Sequence, residues 1–257
     1  MLVCRKPNPD ARIRLYCFPF AGGGPATFTS WMDEMPADVD EKTEIYTVSL
    51  PGRESRSIPS RFTRMPPIVR ALAEAVASSP AMPFVFFGHS MGALISYELA
   101  CELRARGRTG PLHLIVSAHR APHLPDRHPM VHDLPDRDIL AKVRRMGGTP
   151  EQVLASAEIM ELFLPALRAD FTVCETYVYR EQEPLACPIT AFGGTDDPEV
   201  SRADLVAWRS RTSKAFALHM FPGRHFFLQN CASLVRNVLA QDLRHVLRRL
   251  PDSGARS

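Results

Sequence analysis

Six short apolar runs, separated by longer amphipathic stretches, organise this chain: IRLYCFPF (Ile13–Phe20), EIYTVSL (Glu44–Leu50), PFVFFG (Pro83–Gly88), LHLIVSA (Leu112–Ala118), PITAFGG (Pro188–Gly194) and AFALHMF (Ala215–Phe221). Most are continuous rather than alternating and rich in aromatic or β-branched residues, the pattern of strands buried on both faces. Pro67–Ser79, Met91–Arg106, Arg202–Ser213 and Phe226–Leu250 carry apolar residues at helical spacing. Strand-helix alternation predicts an α/β architecture: a mostly parallel central sheet with helices on both faces.

One section breaks the alternation. From about Asp136 to Glu181 helix follows helix, with Gly147-Gly148-Thr149-Pro150 as a turn and cap between two of them. In EIMELFLPALRADFTVCETYVYR the residues Ile159, Phe163, Leu167 and Phe171 recur at four-residue spacing. A helical insertion between two strands of such a sheet is expected to cap the strands' C-terminal ends, here over about residues 121–185. No repeat, linker or low-complexity segment interrupts the sequence, so residues 1–257 read as a single domain ending in a frayed tail, PDSGARS.

Composition narrows the class. Over 257 residues, 45% hydrophobic and 23% charged is the balance of an ordinary globule, long enough to bury a core without disulfides. The start, MLVCRKPNPDAR, carries charges early and does not resemble a secretory signal. The six cysteines form no C-x-x-C pair, which argues against a zinc site or redox dithiol and fits buried thiols in a reducing compartment. The expected location is cytoplasmic. A net charge of +3 without a basic block gives no reason to expect nucleic acid. A monomer is the default.

Against this background Gly88-His89-Ser90-Met91-Gly92 stands out, because it matches G-x-S-x-G and joins a strand directly to an apolar helix. The glycines permit a tight turn that lifts the serine above the sheet, with the helix N-terminus aimed at the reacting centre. A serine hydroxyl needs a base, and the base needs an orienting acid. On this sheet order the acid and then the histidine follow the serine, each just after a later strand. PITAFGG is followed by Asp196-Asp197, and AFALHMF by Pro222-Gly223-Arg224-His225. Among nine histidines only His89 and His225 adjoin a strand end with glycine nearby, and His89 sits too close to Ser90 to serve as its base. Spacing alone does not choose between Asp196 and Asp197; the other is expected to cap the following helix. Attack on a carbonyl also needs N–H donors for the developing oxyanion. Met91, following the nucleophile, supplies one. The turn CFPFAGGG (Cys17–Gly24) supplies the other, with Ala21 as the candidate donor. That turn lacks the lysine and the glycine spacing of phosphate loops.

Together these segments resemble the type II thioesterases that accompany modular polyketide and nonribosomal peptide synthases. CFPFAGGG, LPGRE (Leu50–Glu54), FFGHSMGA, HDLPDRDILAKVRRMGGTP, FLPALRADF (Phe163–Phe171), GGTDDPEV and GRHFF occur in that family's order, over roughly residues 13–228. The resemblance implies an α/β-hydrolase fold with a helical lid. It implies Asp197 as the catalytic acid beside Ser90 and His225. It further implies a channel for phosphopantetheine and a short acyl chain, which Phe163, Leu167 and Phe171 are candidates to line; packing between helices is their competing role. The implied function is removal of aberrant or stalled acyl groups from an acyl or peptidyl carrier protein, without metal or cofactor. Arg137, Arg144 and Arg145 on the lid are candidates to meet an acidic carrier. Two other functions use the same residues or fold: an oxoester hydrolase or acyltransferase with the same triad, and a hydrolase-fold binding protein that no longer turns over.

Overall fold

The computed structural model describes residues 1–4, 6–29, 34–51 and 62–251. All six expected strands form, and a short one joins them. They are β1 (Leu2–Cys4), β2 (Ile13–Phe18), β3 (Thr43–Val48), β4 (Phe84–His89), β5 (His113–Ser117), β6 (Ile189–Gly194) and β7 (Phe216–Phe221). The order across the sheet is β1-β3-β2-β4-β5-β6-β7. Every neighbouring pair is parallel except β1 against β3, where Leu2 faces Val48 and Cys4 faces Tyr46. β1 has no sequence signature because three residues cannot display a period.

The helices are α1 (Ala37–Asp40), α2 (Met65–Ala77), α3 (Met91–Ala105), α4 (Asp136–Met146), α5 (Glu151–Leu154), α6 (Ala157–Glu175), α7 (Arg202–Val206), α8 (Phe227–Asn230) and α9 (Ala232–Arg249). Successive strand residues point to opposite faces, and each face meets its own helices. Tyr16, Phe18, Phe84 and Phe86 pack with residues of α2 and α3; Ile13, Leu15, Cys17, Val85 and Phe87 pack with residues of α9. α3 is buried at Leu94, Ile95, Tyr97, Leu99, Ala100 and Leu103. Its apolar residues fall all round the helix because it is enclosed on most sides.

Three expected helices end or divide differently. The insertion stops being helical after Glu175 rather than Glu181, where Tyr177 turns away and its hydroxyl donates to Glu98 of α3 at 2.5 Å. The Arg202–Ser213 helix becomes α7 followed by a tighter 3-10 turn (Ala207–Arg211) that seats the fully buried Trp208. Its indole N–H donates to the His119 carbonyl at 2.8 Å. The last helix divides at Cys231 into α8 and α9. LPGRE beyond Pro51 and the tail beyond Pro251 lie outside the described residues. Among the described residues no helix is long and apolar enough to cross a membrane.

Two features of this topology place a site. β3 lies on one side of β2 and β4 on the other, so the chain leaves the C-terminal ends of β2 and β4 in opposite directions. Ligand crevices in open parallel sheets form at such a switch point. The helical insertion, α4 to α6, has its own apolar cluster that includes Ile139, Val143, Met146, Leu154, Met160, Leu167 and Phe171. Ala21 and Phe226 of the main body pack against it.

Candidate active site

The turn at Ser90 is possible only because Gly88 and Gly92 lack side chains. A Cβ on Gly88 would lie 2.2 Å from the Gly92 carbonyl oxygen, and one on Gly92 would lie 2.0 Å from the Phe18 carbonyl oxygen. Ser90 itself has φ 54° and ψ −120°, a positive φ that a side-chain-bearing residue adopts at a cost of roughly 1–2 kcal/mol. Two backbone hydrogen bonds hold it there: Ser90 N–H to the Ser117 carbonyl at 2.7 Å, and Ala93 N–H to the Ser90 carbonyl at 2.9 Å. The second begins α3, whose first N–H groups, Met91 among them, have no partner within the helix.

His225 Nε2 lies 2.9 Å from Ser90 Oγ, and His225 Nδ1 lies 2.9 Å from Asp197 Oδ2. An ionised carboxylate only accepts, so Nδ1 carries the proton. Nε2 of the neutral ring then accepts from the serine hydroxyl. The ring and the carboxylate are almost wholly enclosed, at 2% and 0% side-chain exposure. Asp197 Oδ1 also accepts from the Glu199 backbone N–H at 2.8 Å. Asp196 points elsewhere, with Oδ2 accepting from the Thr195 hydroxyl. It does not cap α7 as expected, because Ser201 fills that position in a reciprocal capping box with Asp204. His89 is fully buried, with Nδ1 2.8 Å from the Ser117 hydroxyl. Burial, reinforced by the nearby His225, holds its pKa well below the usual histidine value. Its neutral ring packs beside His225, Phe226 and Phe227.

Two small spaces adjoin Ser90. One, about 70 Å³, is bordered by Met91, His225 and the polar side chains His119, Arg120 and Lys142. The other, about 30 Å³, is walled by Phe20, Met146, Phe163, Leu167, Phe171 and Phe226. Ala21 borders both. Phe163, Leu167 and Phe171 therefore face the space at Ser90 as well as packing among the insertion's helices. A larger groove of about 820 Å³, lined by residues including Arg70, Glu102 and Tyr177, contains none of the residues around Ser90.

Residues 13–241 match the thioesterase domain family. The chain belongs to the thioesterase family. It is 43% identical over 240 residues to the gramicidin S biosynthesis protein GrsT of Aneurinibacillus migulanus, covering 93% of this chain and 92% of that protein. It is 38% identical over 253 residues to thioesterase PikA5 of Streptomyces venezuelae, covering 96% and 86%. Among solved structures, that of the type II thioesterase BorB from the borrelidin biosynthetic cluster has a TM-score of 0.84 at 32% identity, covering 94% of this chain and 97% of that one. These neighbours share the α/β-hydrolase fold expected from the sequence.

In this thioesterase the insertion is fastened to the main body at several points that sequence patterns did not single out. Gly22 N–H donates to Asp170 of α6 at 2.6 Å. Arg145 of α4 pairs with Glu199 at 2.8 Å, two residues beyond Asp197. Arg224 donates to the Arg145 carbonyl at 2.6 Å, and the ring of Phe226 fills the place where a Cβ on Gly148 would sit. Inside the insertion, the Glu175 carboxylate accepts from the N–H groups of Val131 and His132 and from the Lys142 ammonium. Burial alone would raise its pKa, but the His132 N–H and Lys142 overcome that and hold it below the usual carboxylate value. Pairs of this kind join residues dozens of positions apart, and a single sequence gives no sign of which partners meet.

Proposed function

We propose that this enzyme is an editing thioesterase that hydrolyses aberrant or stalled acyl groups from the phosphopantetheine arm of a carrier protein. The observation that carries the chemistry is the unbroken series Ser90 Oγ, His225 Nε2, His225 Nδ1 and Asp197 Oδ2, with both links at 2.9 Å. His225, oriented by Asp197, takes the proton of Ser90 as its oxygen attacks the thioester carbonyl. The N–H groups of Met91 and Ala21 stabilise the oxyanion. Collapse expels the pantetheine thiolate, which takes the proton from His225. A water activated by the same ring then releases the acyl group as a carboxylic acid and restores Ser90.

The choice of substrate rests on two supports. The first is the company of relatives: one is named for gramicidin S biosynthesis, and a solved structure that shares the fold is the type II thioesterase BorB of the borrelidin biosynthetic cluster. The second is size. Spaces of about 70 and 30 Å³ beside Ser90 are far below the roughly 300–1,000 Å³ of a drug-sized ligand site, so a short acyl group suits them. In this reading Phe163, Leu167 and Phe171 contact the acyl end. Of the three arginines offered to a carrier, Arg144 is engaged by Glu151 at 2.8 Å and Arg145 by Glu199 at 2.8 Å, whereas Arg137, 84% exposed, has only a longer 3.7 Å pair with its neighbour Asp138. Arg137 is thus the best placed to meet an acidic partner.

The test is hydrolysis of matched short acyl groups on a carrier protein, on free pantetheine and as simple oxoesters, beside Ser90→Ala. Fast release from the carrier, lost in the variant, supports the proposal. Activity confined to oxoesters refutes the substrate assignment while leaving the triad in place.

A further inference from the structure

The FLPALRADF segment contributes more than a wall to the acyl space. We propose that Asp170 is a positioning residue for the oxyanion hole, fixing the Ala21–Gly22 peptide from the lid helix. The inference rests on the reading of Ala21 as an oxyanion donor.

The loop needs fixing. Ala21-Gly22-Gly23-Gly24 has almost no side-chain mass of its own to pack, and glycines lose the most freedom when ordered. Two hydrogen bonds define its turn. Gly23 N–H donates to the Phe20 carbonyl at 2.9 Å, and Gly22 N–H donates to Asp170 Oδ2 at 2.6 Å. The Gly22 N–H belongs to the peptide that leaves Ala21, so anchoring that plane sets the rotation of Ala21 and the direction of its own N–H. Gly22 is at φ +81°, where any other residue would be strained, and a Cβ there would strike the Phe163 ring at 2.6 Å. Phe163, Leu167 and Asp170 fall on one stripe of α6, and all three face this loop: two by bounding the space a Cβ on Gly22 would enter, the third by accepting its N–H.

Charge supports the assignment. Asp170 is 2% exposed, and a buried carboxylate is costly unless hydrogen bonds compensate it. A negative group near a developing oxyanion also opposes the reaction electrostatically. If the position served packing alone, an aliphatic residue would do so without either cost. An acceptor aimed at a loop N–H is what the position supplies and an aliphatic side chain cannot. The lid thereby holds the second half of the oxyanion hole as well as covering the acyl group.

The test compares Asp170→Ala and Asp170→Asn with wild type in three measurements. These are kcat and KM on an acyl-pantetheine thioester and its matched oxoester, inhibition by a trifluoromethyl ketone against its methyl ketone analogue, and amide exchange over residues 20–24. Only the trifluoromethyl ketone becomes tetrahedral on Ser90 and draws on the oxyanion donors. For Asp170→Ala, kcat is expected to fall on the order of 10–100-fold, part of the loss seen when an oxyanion donor is removed outright, with KM little changed. Trifluoromethyl ketone affinity should fall in step while methyl ketone affinity holds, and Gly22 exchange should accelerate. Asp170→Asn, whose amide oxygen can still accept from Gly22, should stay close to wild type. If Asp170→Ala does not fold, Asp170→Glu, which displaces the acceptor by one methylene, should show the same kcat loss with KM held. A rise in KM alone, equal weakening of both ketones, or an Asn variant as impaired as Ala overturns the proposal. A wild type active only on oxoesters would instead overturn the thioester reading and leave this comparison valid, because both esters pass through the same oxyanion.

Discussion

Replacing Asp242 by asparagine should stabilise the protein at neutral pH without touching catalysis. Asp242 lies on α9 close to His113, at the start of β5, and Thr190, in β6. That is the opposite end of the sheet from Ser90. Burial pushes its carboxyl up from 3.8 to about 6, offset in part by the Thr190 hydroxyl. His113 Nε2 is 4.0 Å away, but burial pushes that ring down to about 4, so between pH 4 and 6 both groups are uncharged and form no ion pair. Because the folded pKa is raised, the stability linked to Asp242 is complete below pH 3.8 and is lost as pH rises through 6. A shift of about two pKa units corresponds to about 3 kcal/mol, and 20% side-chain exposure reduces that to about 2–3 kcal/mol at pH 7.5. Asparagine keeps the shape and removes the ionisation. Urea unfolding of both proteins at pH 4, 5.5 and 7.5 should show the variant gaining that margin at pH 7.5, part of it at pH 5.5 and almost none at pH 4. The melting temperature at pH 7.5 should rise by roughly 4–12 °C for a chain of this size, with kcat unchanged. A variant that is less stable at pH 7.5 would show that His113 charges and compensates the carboxylate, and a gain independent of pH would show that ionisation of Asp242 is not its source; either result refutes the reasoning.

Three further predictions concern the site. Asp197→Asn should lower kcat on the order of 10³–10⁴-fold by disturbing the His225 tautomer, while Asp196→Asn leaves it within about twofold; comparable losses in both would refute the assignment of the acid. Ser90→Gly and Ser90→Ala should both be inactive, but the glycine variant should be the more stable in urea by roughly 1 kcal/mol, since it relieves the positive φ. Arg137→Glu should raise KM for an acyl-carrier substrate several-fold and leave KM for acyl-pantetheine unchanged; equal KM values on the carrier would remove Arg137 from the docking surface.

How far the sequence reaches depends on the range of the interaction. The aromatic and β-branched runs identified six strands; five are buried on both faces, which leaves a continuous local signal, whereas β7 at the sheet edge is mostly half-buried. Ser90, His225 and the Asp196-Asp197 pair were legible because fold topology ties each to a strand end. Spacing left the two aspartates open and only the family resemblance pointed to Asp197, which the structure brings within hydrogen-bond reach of His225, as it does Ser90. Where the outcome turned on a distant partner, local pattern failed. Tyr177 leaves the helical path for Glu98. The cap of α7 was missed for another reason: Ser201, directly before the helix, takes it in a Ser-x-x-Asp box with Asp204 that is itself a local signal. The Gly22–Asp170 bond spans 148 positions, and nothing local to CFPFAGGG or LRADF announces it.

The contact of Gly92 with the Phe18 carbonyl has a consequence for engineering. It brings the end of β2 and the start of α3 so close that Gly92 accepts not even a methyl group, which makes the sheet and its turn a rigid chassis. Variety in the acyl group must then be sought in the exchangeable segment between Ser117 and Ile189. A transplanted roof that changes the shape of the chamber would still have to carry an acceptor where Asp170 stands, or the chassis would be left with a carbonyl binder of only one fixed arm.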